Sequence, residues 1–125
     1  MGRREIDCGE RAERLALSFL QTKGYRLLDK NWRYSHLELD LIMIEPLFPE
    51  PIIHIVEVRS LNYPFVRKPF MTVDIKKQQK IVKATCKYLQ KKKIKYEVKF
   101  DIVSIVFYDN NNSIEFIENA FFPLW

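Results

Sequence analysis

The chain has 125 residues, 47% hydrophobic and 30% charged, with a formal net charge of +5. That length suits one domain, residues 1–125, with a hydrophobic core of its own, and the balance excludes disordered and fibrous classes. No apolar run nears the roughly 20 residues that span a bilayer, the opening "MGRREIDCGE" lacks an apolar signal-peptide core, and the two cysteines, Cys8 and Cys86, imply no disulfide framework. The expectation is a cytoplasmic protein without membrane attachment, whose basic charge fits a polyanionic partner without identifying one.

Residues 8–23 read as an amphipathic helix. Ala12, Leu15, Ala16, Phe19 and Leu20 repeat at the helical spacing of one buried face. Asp7 is the expected N-cap, Glu10 stands at the capping-box position, and Gly24 provides a C-terminal stop. "YRLLDKNWRY" reads as a strand with polar interruptions. "LELDLIMIE" (37–45) and "IIHIVEVRS" (52–60) are apolar strands, joined by "PLFPEP", whose three prolines forbid a ladder and predict a hairpin loop. Residues 60–71 form an irregular connection. A second helix runs from Thr72 or Asp74 to about Lys93, with Ile75, Gln78, Val82, Thr85, Cys86 and Leu89 expected inside. Nine lysines fall between Lys76 and Lys95; Lys76, Lys80, Lys83, Lys87 and Lys91 align as a stripe on the outer side. "YEVKFDIVSIVFY", the turn "DNNNS" and "IEFIEN" complete the order α-β-β-β-α-β-β. Two strands apolar on both sides imply an α/β (α+β) fold, with helices on both faces of a mixed sheet.

Acids inside apolar strands demand an explanation, because burying an unpaired carboxylate costs several kcal/mol. On strict alternation Glu38 and Asp40 share one face of their strand, with Leu39 and Leu41 on the other; Glu57 and Arg59 share one face of the next. An antiparallel hairpin brings Asp40 near Glu57. Such a pair can hold Mg²⁺ or Mn²⁺, which favour oxygen ligands, or can be neutralised internally by Arg59. Spacing alone leaves both open. His36 and His54 have no partner at ligand spacing and read as structural, and Cys8 and Cys86 read as small core residues. Asp101 reads as buried and paired, Trp32 as packing, and the terminal "FFPLW" offers an apolar interaction surface.

"GERAERLALSFLQTKGYRLLDKNWR", "ELDLIMIE", "IVEVRS", "KQQKIVKATCKYL", "FDIVSIVF" and "ENAF" resemble, in order, the blocks of the YraN-like family, bacterial proteins regarded as endonucleases related to Holliday junction resolvases. The resemblance implies a restriction-endonuclease-like, three-layer α-β-α fold with a PD-(D/E)XK site. It places the metal-binding acids on Asp40 and Glu57, with Glu10 from the first helix and Glu38 as an additional acid. Arg59 and Lys77 fall on positions facing the phosphate, while Arg33 and the stripe of Lys76, Lys80, Lys83 and Lys87 would contact nucleic acid, expected to be DNA. The implied function is a Mg²⁺- or Mn²⁺-dependent endonuclease; the resolvase likeness adds homodimerisation as an expectation. Two departures stand out. Leu37 replaces a glycine, and Arg59 replaces the usual lysine, so the alternative is a nucleic-acid-binding module that does not cut.

Overall fold

The computed structural model describes residues 2–123, with side chains described from Gly9 onward. The elements follow the expected order: α1 (Gly2–Thr22), β1 (Arg26–Tyr34), β2 (Leu37–Glu45), β3 (Ile52–Asn62), α2 (Ile75–Lys92), β4 (Glu97–Phe107) and β5 (Asn112–Phe121). A short 3₁₀ turn, Pro69–Thr72, interrupts the β3–α2 connection. The five strands form one sheet in the order β1-β2-β3-β4-β5. Every neighbouring pair is antiparallel except β3–β4, the parallel pair that α2 connects as a crossover.

Each helix covers one face, giving the three-layer arrangement of the restriction-endonuclease-like fold. Against α1 pack Leu41, Met43, Val56, Val103 and Ile105, meeting Ala12, Ala16 and Leu20. Against α2 pack Leu39, Ile42, Ile53, Ile55, Phe100 and Ile102, meeting Ile81, Ala84 and Tyr88. β2, β3 and β4 are therefore apolar on both sides because both sides are core.

Three local readings are corrected. α1 starts at Gly2, so Asp7 and Glu10 lie inside the helix instead of at its cap; the side chains of Asp7 and Cys8 fall outside the described set. α2 is rotated from its expected face: Ile75 is 67% exposed and Cys86 is exposed, whereas Ile81, Ala84, Thr85 and Tyr88 are buried. Tyr88 sets this rotation, since its ring meets Trp32 edge-on at 5.2 Å and its hydroxyl donates to Asp29 Oδ2 at 2.7 Å. Alternation in β2 is the third. Leu39 belongs to the α2 core and Leu41 to the α1 core, so the two leucines occupy opposite faces.

The cap of α2 is on Asp74, whose Oδ1 accepts the Lys77 N–H at 2.8 Å. Its C-cap, Lys93, takes the left-handed conformation at φ 56°. Ile42, fully buried between α2 and the sheet, tests the core. Ile42→Ala should lower unfolding free energy by roughly 2–5 kcal/mol in urea denaturation; a loss under about 1 kcal/mol would mean that this layer is not close-packed.

Candidate metal and nucleic-acid site

β2 and β3 pair from Glu45↔Ile52 to Leu41↔Val56 and then separate. β3 continues beside β4 as far as Asn62↔Phe107, so its β2-facing edge needs other partners beyond Val56. Asp40 supplies one: its Oδ2 accepts the Val58 N–H at 2.9 Å. The carboxylate thus occupies the fork between the strands. Asn31 on β1 marks the same level with φ 52°, and the change of face between Leu39 and Leu41 occurs there too.

Glu57 lies on the α2 face of the fork and is only 5% exposed. Its Oε2 meets Arg59 Nη2 at 3.1 Å and Lys77 Nζ at 3.6 Å. Burial, reinforced by the charge and hydrogen bond of Asp40, pushes the Glu57 carboxyl up to about 8, against the opposing pull of Lys77 and Arg59. Its neutral form is therefore favoured at neutral pH. Arg59 Nε is buried with no hydrogen-bond partner among the described residues.

The α1 side of the fork opens into a cleft of about 260 Å³, lined by Glu10, Glu13, Arg14, Lys30 and Asn31. Glu13 is the helix acid that feels Asp40. Burial raises its pKa, as do the charges of Asp40 and Glu38, while a hydrogen bond with Asn31 and the charge of Lys30 lower it. Glu10 is exposed at the rim, one turn earlier on the same helix face. Glu38 pairs with Arg33 at 3.6 Å.

Arg33 is 73% exposed at its side chain. Lys76, Lys80 and Lys83 are exposed on α2, and Lys87 is half-buried. Lys87 and Lys91 both lie over the Tyr34 ring, at 5.5 and 5.1 Å from its centroid. The distal part of the stripe is thereby tied to β1, whereas Lys77 points to the fork. Trp32 packs between Tyr88 and Tyr34.

Sequence reasoning missed Glu13, whose spacing from Glu10 was the available signal. It also took His54 as isolated. His54 is fully buried between Asp101 at Nδ1 and Glu45 at Nε2, and Tyr25 stacks on its ring. No local pattern could reveal these partners, which come from β2, β4 and the residue just before β1. Burial depresses the His54 pKa, but the two carboxylates outweigh it and the net shift is upward. Asp101 is buried and paired, as expected. His36 is exposed beside Ser35.

The fold places the chain in the class of restriction-endonuclease-like proteins, with a pair of acids where the central strands diverge. Residues 12–105 match the uncharacterised protein family UPF0102, and the chain belongs to that family, the YraN-like proteins. It is 39% identical to a UPF0102 protein of Thermodesulfovibrio yellowstonii, covering 94% of this chain and 97% of that one. It is 40% identical to one of Persephonella marina over 90% and 91% of the two chains. A Parabacteroides distasonis relative is 34% identical over 95% of each.

The Glu57 shift has a defined consequence for the metal-free protein. Burial holds the Glu57 pKa at about 8 in the folded protein, against its ordinary value of 4.5. Between those values the native state binds more protons than the unfolded state, so stability is greatest at the acid end and falls as pH rises through about 8. Glu57→Gln should flatten this slope in urea denaturation series with chelator present; an unchanged slope would exclude Glu57 as its source.

Proposed function

We propose that the protein is a divalent-metal-dependent endonuclease acting on DNA. The observation that carries this reading is the gathering of two carboxylates, Asp40 and the buried Glu57, at the strand fork beside two cationic side chains. A metal ion there would relieve the repulsion between the acids. The donors are carboxylate oxygens, which suits Mg²⁺ or Mn²⁺. The buried, unpartnered Arg59 Nε fits the same picture, as a donor prepared for an oxygen the protein does not supply.

Asp40 and Glu57 would hold the ion, with Glu13 and Glu10 on the α1 side of the fork. Once bound, such an ion supplies Lewis-acid polarisation of a phosphodiester and a more acidic water. Arg59 stays protonated and cannot serve as a base; its Nε can donate to a non-bridging phosphate oxygen as negative charge develops. Lys77, anchored by the Asp74 cap, brings a second cation to the same side of Glu57. It offers the ammonium that residue 59 lacks. Arg33 and Lys76, Lys80, Lys83 and Lys87 would contact backbone phosphates, contributing affinity without sequence choice.

Duplex, single-stranded and four-way-junction DNA, incubated with Mg²⁺, Mn²⁺ or EDTA, provide the test. Cleavage should require the metal, be abolished by Asp40→Ala or Glu57→Ala, and fall roughly 10²–10³-fold in Arg59→Ala. Metal-independent cleavage that survives Asp40→Ala would refute the site. Salt-sensitive DNA binding without cleavage, in both the native protein and Arg59→Lys, would replace this reading with that of a binding module. Arg59 then acts as the permanent counter-ion of Glu57, as their 3.1 Å contact allows.

For the lysine stripe the expectation is separate. Lys80→Ala with Lys83→Ala should weaken binding alike for all sequences and reduce the slope of log affinity against log salt by about 2. An unchanged slope would remove these lysines from the interface.

A further inference from the structure

Three residues before Glu57, and on the opposite face of β3, a second group of side chains converges. Asp101 holds His54 Nδ1 with one carboxylate oxygen, and its other oxygen, Oδ1, accepts the Asn119 N–H at 2.8 Å. His54 Nε2 faces Glu45 Oε1 at 2.8 Å. The third member, Glu118, depends on an irregularity of β5. The β4–β5 register passes from Ile102↔Ile117 to Phe100↔Phe121, leaving extra residues on β5, and Asn119 adopts φ 56°. A bulge of this kind re-aims a side chain. Ligand atoms of Glu45, His54 and Glu118 consequently lie within 4.8 Å of one another.

The hydrogen bonding dictates what this cluster can accept. An imidazole whose Nδ1–H is donated to Asp101 turns the lone pair of Nε2 toward the Glu45 oxygen. Two electron-rich atoms at 2.8 Å need positive charge between them, supplied by a second ring proton or by a cation. Three carboxylates, Glu45, Asp101 and Glu118, surround this single imidazole. Lys99 provides an ammonium at 3.8 Å from Glu118 Oε1. A buried histidine fixed by a carboxylate and facing two further carboxylates is the donor set of zinc-type ions. Bonds of about 2.0–2.2 Å require the 2.8 Å His54–Glu45 pair to spread slightly and Glu118 to adjust from within 4.8 Å. Glu45 and Glu118 have that freedom, with side chains 25% and 49% exposed.

We propose that Glu45, His54 and Glu118 form a site for a zinc-type divalent cation, with Asp101 as the residue that positions His54. Water completes the coordination on the solvent side. The ion would join β2, β3 and β5 directly and β4 through Asp101, clasping four strands at one end of the sheet. This site is chemically distinct from the Asp40–Glu57 fork, which offers only carboxylate oxygens, and it does not rest on nuclease activity.

The two histidines make the test direct, because His36 is a built-in control. Full-length protein labelled with ¹⁵N-histidine is titrated with Zn²⁺ in mildly alkaline buffer, and both rings are followed by long-range ¹H–¹⁵N NMR. The His54 Nε2 resonance should move to a metal-bound position, saturating at one equivalent, while His36 stays unchanged and the melting temperature rises. Glu118→Gln, at a half-exposed position, should weaken Zn²⁺ binding at His54 at least tenfold, and excess Mg²⁺ should not displace the ion. A His54 resonance indifferent to Zn²⁺ in the native protein, or an affinity unchanged by Glu118→Gln, would overturn the proposal. Either result would leave His54 as a buried imidazolium between Asp101 and Glu45.

Discussion

The hydrogen bond from Val58 N–H to Asp40 Oδ2 is the interaction on which the candidate active region depends. Strand β3 must remain paired with β4 along its length to support the sheet, while β2 leaves it after Leu41↔Val56. A backbone donor exposed by that divergence has to find an acceptor. A side chain that provides it is necessarily held at the fork, and a carboxylate does so with charge. One bond therefore satisfies β3, positions Asp40 and brings it against Glu57. The raised Glu57 pKa follows from the same geometry, because the second acid is buried where the first already stands.

The order of elements was legible because apolar periodicity and turn chemistry agree along this chain. Strands apolar on both sides announced a sheet covered twice, and the prolines between Glu45 and Ile52 announced the hairpin. The acids were legible as well, since Asp40 and Glu57 interrupt apolar strands where a polar residue needs a reason. The faces were harder. Strict alternation puts Leu39 beside Leu41, but the fork resets β2 between them, and no residue type signals that reset. On α2 the periodicity of Ile75, Val82 and Cys86 is genuine yet marks a flank; Tyr88, reaching Asp29 and Trp32, decides which side turns inward.

His54 shows a different limit. Its environment is assembled from Glu45 on the neighbouring strand, Asp101 across a parallel pairing and Glu118 on a bulge. Sequence separations of 9 and 47 residues to its two hydrogen-bonded acids carry no periodic signature. An apolar strand containing one histidine looks the same whether that histidine is inert or surrounded by carboxylates. Only the register of β3 against β4 decides between them, and register is a property of the folded sheet.

Arg59 and Lys77 together define what the fork can do. Both approach Glu57 Oε2, but they arrive from different elements and have different chemistry. Arg59 is fixed two residues along β3, permanently charged and planar, with one buried donor unspent. Lys77 comes from the first turn of α2, where the Asp74 cap holds the backbone and leaves the ammonium free to move. A metal drawn to Asp40 and Glu57 would release both cations from the carboxylate they neutralise. Their charge would then be available to a phosphate at the same place. On the proposed reading, the internal ion pairs of Glu57 and a metal-bound fork would be one arrangement under two ionic conditions.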